Sequence, residues 1–581
     1  MERKKRFKRM RRKKVDTIDY SRERLARLAD KYYNEGKFFN ALRFAYDELN
    51  TYGGNGDVYA RLSDIYEGMG LHASAVNFWI RFLNIAEEED LPDIYEGLAV
   101  NYGNKGDEKQ AAYYYNRLMD VDDSLPEEAK MDIVSAFSKK KSEGFRVVYP
   151  PEQADYSIEL AEGAQALKRG DCARAIEKFS EVPKGAKEYV AAKEMQSVAY
   201  LLSGKAEKAE AICLDVLKDE PNAERILSTL AAVYMEQGRE EESREIALRL
   251  SKLDLTEPDA LFKAATVCCE NGLHKEAYEK FSQVEKIMPY DGRMLYFKAV
   301  AAFHCGLLDE AEKALSALCT IYPDSEVGKY YLRALKNRDE EPLPEFTYFY
   351  NLPQAERESR CQSLVHMLEC PKDEAQLFGL IALHDGYFKW CFDEMDGADH
   401  ELQYLGLAAA VHVRADEFIR EIMLDIEIAD VLKLETIRML YLRNEDMGFG
   451  IVLYDIYHFL QILKINIGRK RRKRFIEGYA KVASKFAVVS SEYGKKLKSA
   501  AERLYRALEQ YESLDLIDGA EDCACAIFFY SGIKEIPKSR EEIAQIFGAN
   551  LAKVNVLLSA AVSAQFLDKK QTEEEKVKKD E

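Results

Sequence analysis

The sequence is poor in the residue patterns on which enzyme active sites and metal centres depend. Its eight histidines are scattered singly, and none has the His-Glu-x-x-His spacing that holds a zinc ion on one helix face. It also contains no Gly-rich phosphate loop, no nucleophile elbow and no kinase motif. We therefore expect a protein without catalytic residues, without a metal site and without a cofactor.

The eleven cysteines include no Cys-x-x-Cys pair, which argues against a zinc or redox site. Cys268 and Cys269 are adjacent, and Cys523 and Cys525 are two apart. On a helix neither spacing points both thiols at one ion. These residues are better explained as small apolar side chains in a reducing compartment.

Long apolar runs are missing as well. No stretch approaches the roughly 20 residues that a helix needs to span a bilayer. The basic N-terminus is not followed by the apolar segment of a secretory signal. With 47% hydrophobic and 32% charged residues, the composition is that of a cytoplasmic protein without a transmembrane segment. At 581 residues the chain exceeds one compact core, so several domains or an extended array are expected.

What the sequence does contain is a repeat of 34 residues between positions 156 and 323. Its glycines are Gly170, Gly204, Gly238, Gly272 and Gly306. A small residue lies seven places before each glycine and another five places after it, as Ala299 and Ala311 do around Gly306. Such a period is typical of stacked helix pairs, in which glycine ends the first helix and small residues lie where the helices approach most closely. The repeat therefore predicts a solenoid.

Further positions of the repeat carry a family resemblance. Tyr200 and Tyr234 precede their glycines by four residues, and proline closes three units at Pro221, Pro289 and Pro323. This layout resembles the tetratricopeptide repeat (TPR), and three earlier units around Gly36, Gly70 and Gly106 match it. The resemblance covers residues 20–340 and implies an all-α superhelix, followed here by a C-terminal helical domain. It also implies that the concave wall, formed by the first helix of each unit, binds peptide ligands.

The expected organisation follows from this register and from changes in composition. In chain order we expect a basic disordered tail (1–19), a first TPR block of three repeats and a degenerate helix (20–142), a linker (143–155), a second TPR block of five repeats and a capping helix (156–340), a linker (341–353), a HEAT-like helical region (354–468), a C-terminal helical region with a helix-turn-helix-like end (469–567) and a disordered tail (568–581).

The concave walls of the two blocks differ in their side chains. Positions on the first wall are acidic, among them Asp30, Asp64 and Asp93. Because it is acidic, this wall does not suit a ligand that binds through its C-terminal carboxylate. It would instead attract Lys- or Arg-rich segments, unless it is simply a solvated face. Positions on the second wall are apolar, and our candidates for peptide contact there are Met235, Phe262, Tyr296 and Phe303. An apolar wall predicts a groove for a hydrophobic peptide or amphipathic helix, unless superhelical curvature or the C-terminal domain covers it.

Two basic segments suggest a different partner. Met1–Lys14 carries ten Lys or Arg residues, and it could be a solubilising tail, contact nucleic acid or an anionic membrane, or dock on an acidic surface such as the first wall. The run 469–474 is basic throughout, and Arg469, Arg471, Arg472 and Arg474 are candidates for nucleic-acid contact. The alternative for this run is a solvated helix start.

The C-terminal half gives weaker signals. The aromatic residues of the 341–353 linker are expected to pack on the exposed edge of the last repeat. Phe449–Ile467 alternates like a strand but has the length of a buried helix, and we favour the helix. Residues 539–550 look like a helix-turn-helix and, with the helices before them, are similar to a cyclin-fold repeat. We favour a purely structural helical hairpin, because the second helix offers one basic residue and no Arg for contact with DNA.

Two hypotheses for function result. The first is a non-catalytic TPR scaffold or adaptor that binds protein or peptide segments in its concave groove. The alternative is a nucleic-acid-linked regulatory protein that uses its basic segments and the C-terminal hairpin, with the repeats recruiting partners. The sequence leaves the oligomeric state open.

Overall fold

A computed structural model describes residues 20–122, 124–138, 156–340, 342–384, 386–393, 400–536 and 538–562. The predicted basic tail, the 143–155 linker and the 568–581 tail lie outside these ranges. The described part is all-α apart from one β-hairpin, which confirms the predicted fold class.

Helices in the first 340 residues follow one another in antiparallel pairs. The first block contains α1 (Tyr20–Asn34), α2 (Phe38–Tyr52), α3 (Gly56–Gly68), α4 (His72–Leu83), α5 (Leu91–Asn104), α6 (Glu108–Val121) and the single helix α7 (Glu127–Ser138). The second block contains α8 (Ser157–Lys168), α9 (Cys172–Ser180), α10 (Tyr189–Leu202), α11 (Ala206–Asp219), α12 (Glu224–Glu236), α13 (Glu240–Ser251), α14 (Pro258–Glu270), α15 (His274–Ile287), α16 (Gly292–His304), α17 (Leu308–Ile321) and the capping helix α18 (Glu326–Lys336).

The residues that defined the repeat have the roles that the sequence predicted. Gly306 follows α16 with a φ of +74°, a left-handed conformation that glycine adopts without steric cost. Ala299 of α16 and Ala311 of α17 are both 0% exposed, and the two helices pack directly on each other. In the hairpin of α12 and α13, the Ser243 hydroxyl donates to the Ala231 carbonyl at 3.0 Å, so a small polar residue is accepted when it is hydrogen-bonded.

The first block packs against the far end of the second block. Helix α2 lies on α17, and its Phe39 ring lies 5.6 Å from the ring of Tyr290, which lies just before α16. The buried Tyr66 hydroxyl donates to the Ile321 carbonyl at 2.7 Å. The two blocks therefore do not continue as one straight superhelix, because the first block returns to the last repeat.

The C-terminal half begins with six helices, then the hairpin. They are α19 (Gln354–Glu369), α20 (Lys372–His384), α21 (Tyr387–Trp390), α22 (His400–Val413), α23 (Asp416–Leu424), α24 (Asp430–Leu442), β1 (Met447–Leu453) and β2 (Ile456–Ile462). This half also contacts the first block, since Asn77 of α4 donates to the Asp425 carboxylate at 3.0 Å and accepts from the Ile426 amide at 2.9 Å.

The helix predicted for Phe449–Ile467 is wrong. Strands β1 and β2 pair antiparallel, with Ile451 opposite His458. Tyr454 and Asp455 turn the chain with φ values of +53° and +60°, a pair of positive angles typical of the two-residue turns that connect hairpin strands. The sequence does not mark this turn, because neither residue is the glycine that two-residue hairpin turns usually contain.

Five further helices complete the described chain: α25 (Arg472–Phe486), α26 (Ser491–Gln510), α27 (Ala520–Ser531), α28 (Arg540–Phe547) and α29 (Leu551–Val562). Helices α28 and α29 meet at 105° across Gly548, which is the angle of a helix-turn-helix. A capping box between Ser539 and Glu542 begins α28. No single described helix is both long and apolar enough to cross a membrane, and α28 with α29 meets that test only as a bent pair.

Candidate functional site

The best-defined candidate surface is the inner face of the second block, which we call the second-block groove. It is formed by equivalent positions on α10, α12, α14 and α16. Met235 and Phe262 are partly exposed on this face, Phe303 is partly buried at its C-terminal end, and Tyr296 is completely buried there. Phe262 and Tyr296 occupy one position of the 34-residue repeat, and Met235 and Phe303 occupy a second position near the end of the same helix. Both positions lie on the inner side of each helix, so the repeat lines them up along one inner face.

The C-terminal end of the groove is filled by the chain itself. Residues 342–353, which we call the strap, leave α18 and run back over the inner face. The Phe346 ring stacks on Phe303 with centroids 4.0 Å apart and lies 4.6 Å from the ring of Tyr331. The hydroxyl of Tyr296 donates to the strap backbone, 3.0 Å from the carbonyls of Thr347 and Phe349. The groove therefore binds an extended aromatic segment through ring contacts and main-chain hydrogen bonds.

Two stacked histidines hold the middle of the strap. The rings of His274 and His304 lie 4.3 Å apart. His304 Nε2 donates to the Phe346 carbonyl at 2.8 Å, and His274 Nδ1 lies 2.9 Å from the Tyr348 hydroxyl. Burial lowers the pKa of His274 below its ordinary value of 6.5, and the neighbouring His304 and Arg244 lower it further. His274 is therefore neutral near pH 7, because its protonation would place a second positive charge beside that of Arg244.

This arrangement predicts that acid weakens the strap. The unfolded chain takes up a proton near pH 6.5, whereas folded His274 takes it up only at lower pH. The contribution of His274 to the free energy of unfolding is therefore at its full value above about pH 6.5 and decreases as the pH falls below that value. Urea unfolding of wild type and His274→Gln between about pH 7.5 and pH 5 measures this, and the stability difference between them should shrink as the pH falls. A difference that does not change with pH would contradict the prediction.

The far end of the strap is tied to the C-terminal half. The Tyr350 ring lies edge-on to Tyr296 at 4.8 Å, and its hydroxyl lies 2.6 Å from Ser325 Oγ and 3.1 Å from the carboxylate of Asp393. The other carboxylate oxygen of Asp393 accepts from the Val327 amide at 2.7 Å. Burial raises the pKa of Asp393 well above its usual range. As expected from the sequence, the linker aromatics pack on the last repeat, but they do so along its inner face.

The rest of the second-block groove is left open by the strap. A cavity of about 240 Å³ lies between α12 and α14, with both charge signs and one aromatic ring in its lining: Glu224, Arg225, Ser228, Asp259, Ala260, Phe262 and Lys263. Lys263 pairs with the buried Glu194 at 2.7 Å, and Arg225 lies 3.7 Å from the same carboxylate. Phe262 is fixed by an edge-on contact with Phe281 at 5.6 Å. A ligand here would meet a rigid aromatic surface bordered by polar groups.

The four apolar candidates thus divide into two sets. Tyr296 and Phe303 are covered by the strap, whereas Met235 and Phe262 lie on the open part. Among the described residues, the alternative that another part of the chain covers the apolar wall therefore applies to its C-terminal end, where the strap lies on the last repeat and reaches His274 of the repeat before it. Peptide binding by Met235 and Phe262 stays a prediction.

The acidic wall of the first block is partly neutralised. The guanidinium of Arg61 pairs with Asp30 at 2.8 Å and with the buried Glu48 at 2.7 Å. Asp64 and Asp93 are half-buried on the same wall. Its capacity to bind basic segments, and the role of these three aspartates, stay predictions, and the N-terminal tail proposed to dock there lies outside the described residues.

The arginines of the basic run also have acidic neighbours. Arg471 lies 3.7 Å from Asp515, and Arg474 donates to the backbone carbonyl of Asp518 at 2.9 Å. Arg469 is exposed. Arg472 lines a cavity of about 330 Å³ together with Lys464, Ile465, Asn466, Ile467, Gly468, Tyr505, Arg506 and Glu509.

The helix-turn-helix-like pair offers little for contact with DNA. On α29, Lys553 pairs with Asp518 at 2.8 Å and Asn555 accepts from Arg540 at 2.9 Å. Both polar side chains are engaged within the chain, so the face that would enter a groove has few groups left for base edges. Nucleic-acid contact by Arg469, Arg471, Arg472 and Arg474 stays a prediction without support from this geometry.

Residues suited to catalysis do not converge within the described ranges. No three His, Cys, Asp or Glu side chains there are placed to hold a metal ion. Burial raises the pKa of the Cys268 thiol and of the Cys523 thiol to about 12 in each case, so both are poor nucleophiles near neutrality.

Comparisons with known proteins return similarities among solved structures. No protein-family model matches the chain, and no curated protein matches it. A TPR protein from Parabacteroides merdae is 15% identical, covers 55% of this chain and 99% of its own, and has a TM-score of 0.25. The TPR domain of P58(IPK) is 14% identical over 68% of this chain and 99% of its own, with a TM-score of 0.22. Yeast Tom70 is 12% identical over 94% and 97%, with a TM-score of 0.26. All three are similar to this chain, whose fold is defined by the repeat geometry given above.

Proposed function

We propose that this chain, a TPR-like solenoid, is a non-catalytic scaffold that binds an extended protein segment in the open part of its second-block groove. The observation that carries the proposal is the strap, an extended segment already bound at one end of the same inner surface. A cytoplasmic location, as the sequence predicts, is part of the proposal.

The chemistry of the partner follows from what the strap and the open part have in common. The strap contributes aromatic rings to apolar positions and main-chain carbonyls to a hydroxyl donor. The open part of the groove offers the Phe262 ring, the Met235 side chain and charged groups of both signs. A partner segment with an aromatic anchor and no strong net charge fits this surface best.

A peptide selection tests the proposal. Random peptides of about twelve residues are selected for binding to the wild-type protein. This length suits an extended chain that crosses neighbouring repeats, since such a chain rises by about 3.3 Å per residue. Ala232 is partly exposed on α12, on the inner face next to Met235, so Ala232→Arg should block the groove without removing a buried side chain. Selected peptides should be rich in aromatic residues and should bind this variant at least about tenfold more weakly, or ~1.4 kcal/mol.

Ala211→Arg is the matched control. Ala211 is exposed on α11, a second helix of a pair, on the outside of the solenoid. The selected peptides should bind this variant like wild type. Peptides that bind Ala232→Arg and wild type with equal affinity would remove the groove from the proposal.

A further inference from the structure

The cavity that Arg472 lines is built from three separate segments of the C-terminal half. Residues 464–468, which follow β2, form one wall, the start of α25 forms a second and α26 forms the third. The Asn466 amide donates to the Glu502 carboxylate at 2.9 Å, and the Tyr505 hydroxyl donates to the Lys470 carbonyl at 2.6 Å, so the first wall is fixed on α26. With a volume of about 330 Å³, the cavity has the size of a site for a small molecule.

Each of the three segments contributes a positive charge to the lining. The cations are Lys464, Arg472 and Arg506, and the lining contains one carboxylate, that of Glu509. The surrounding chain has the same sign of charge, since residues 464–474 contain seven Lys or Arg and no Asp or Glu. A concave site with a surplus of one charge raises the local concentration of ligands with the opposite charge.

The acidic residues beside the cavity leave Arg472 without an ion pair. Asp446 and Glu502 accept hydrogen bonds from backbone amides of residues 464–468, and Glu502 also lies 3.8 Å from Arg506. Arg472 is half-buried, and in the part of the chain that the structure describes no carboxylate lies within ion-pair distance of it. Its guanidinium is therefore placed at the cavity with donors that no acidic side chain occupies.

The start of α25 favours an anion at the same end of the cavity. The helix begins with Arg472, Lys473 and Arg474, has no acidic residue in its first turn, and has no side chain that caps its first amides. A helix N-terminus carries partial positive charge, so cationic side chains there are unfavourable unless an anion is near them. The helix start adds to the charge of the lining but is not the site by itself.

We propose that this cavity binds the phosphate group of a small ligand, with Arg472 as the principal contact and Lys464 and Arg506 beside it. A guanidinium can bind a phosphate through two parallel N–H donors, and lysine adds a compact positive charge. Ile465 and Ile467 complete the lining and provide an apolar surface for the rest of the ligand. Three walls suit a terminal phosphate better than the backbone of a nucleic acid, which is bound along an open groove.

Calorimetric titration of the full chain with inorganic pyrophosphate tests the proposal. At about 0.15 M salt, attraction by distant exposed charges is screened. Wild type should bind with a dissociation constant below about 1 mM, and Arg472→Gln should weaken binding at least about tenfold. Lys464→Gln should weaken it at least about threefold, and since Lys464 is exposed this variant does not disturb folding. Glu509→Gln should tighten binding at least about threefold, because it removes the carboxylate of the lining.

Arg503→Gln is the matched control. Arg503 is exposed on α26, one turn before Arg506, and does not line the cavity. The variant removes the same charge and should leave the affinity for pyrophosphate unchanged. Equal weakening by Arg503→Gln and Arg472→Gln would overturn the proposal, as would the absence of binding at about 10 mM pyrophosphate.

Two further arms of the experiment separate the possible sources of the anion. Retention on vesicles of equal parts phosphatidylcholine and phosphatidic acid, abolished by pyrophosphate and by Arg472→Gln, would support a lipid headgroup in the cavity. Pyrophosphate binding without such retention would support a soluble ligand. A random single-stranded oligonucleotide that binds more tightly than pyrophosphate, and that Arg471→Gln and Arg472→Gln weaken equally, would overturn the proposal, because the anion would then lie outside the cavity.

Discussion

Phe346→Ala is expected to lower the free energy of unfolding of the last repeats by about 3–5 kcal/mol. The ring is 1% exposed and lies between Phe303 and Tyr331, at centroid distances of 4.0 and 4.6 Å. Its removal leaves a cavity that the two flanking helices, α16 and α18, cannot close without moving. The loss should be local, because the strap touches only the end of the solenoid and the adjoining C-terminal half.

Phe349→Ala is the control for this effect. Phe349 is in the same strap but is 70% exposed, so its truncation should change stability little. Urea unfolding measures the overall loss, and hydrogen exchange of the amides in α16 and α18 shows whether the loss is local. Equal losses for the two variants, or unchanged exchange in α16 for Phe346→Ala, would contradict the burial of the strap.

Ala299→Leu is expected to lower the free energy of unfolding by about 1–3 kcal/mol through overpacking. Ala299 and Ala311 are both 0% exposed where α16 and α17 approach, so the added carbon atoms must separate the two helices. Any separation is passed to the next repeat, because each pair of helices supports its neighbours.

Ala211→Leu separates this effect from a simple change of side chain. Ala211 is exposed on α11, so the larger residue meets solvent there. The two variants should differ in the urea midpoint of unfolding, and Ala211→Leu should match wild type. A fully stable Ala299→Leu protein would contradict the close approach of the helices at the small sites of the repeat.

The repeats could be predicted from the sequence because their determinants are close together in the chain. Gly306 and its flanking Ala299 and Ala311 specify the turn and the helix contact within thirteen positions, and α16 and α17 form as this spacing predicts. The strap was predicted in part. Phe346, Tyr348 and Tyr350 alternate with other residues, as expected for an extended chain with one buried side, but the sequence did not indicate which surface they cover.

Features that depend on distant residues were not predictable. Asp30 belonged to an acidic wall in the sequence, but Arg61, 31 positions later, neutralises it in the structure. The return of the first block to the last repeat depends on contacts such as Tyr66 with Ile321, which are separated by 255 positions. The exposure of Leu377 and Leu380 on α20 could not be predicted for the same reason. Val413, more than thirty positions later, leaves room only for Gly379 on the side of α20 that packs inward.

The most direct test of the groove is to place a photoreactive amino acid at position 232 or at position 211 and to cross-link in native cells. We expect position 232 to capture an extended segment of another protein, with an aromatic residue at the cross-linked site, and we expect no such capture from position 211. Cross-links from position 232 that reach only this chain's own peptides, or the same proteins captured from both positions, would contradict this expectation.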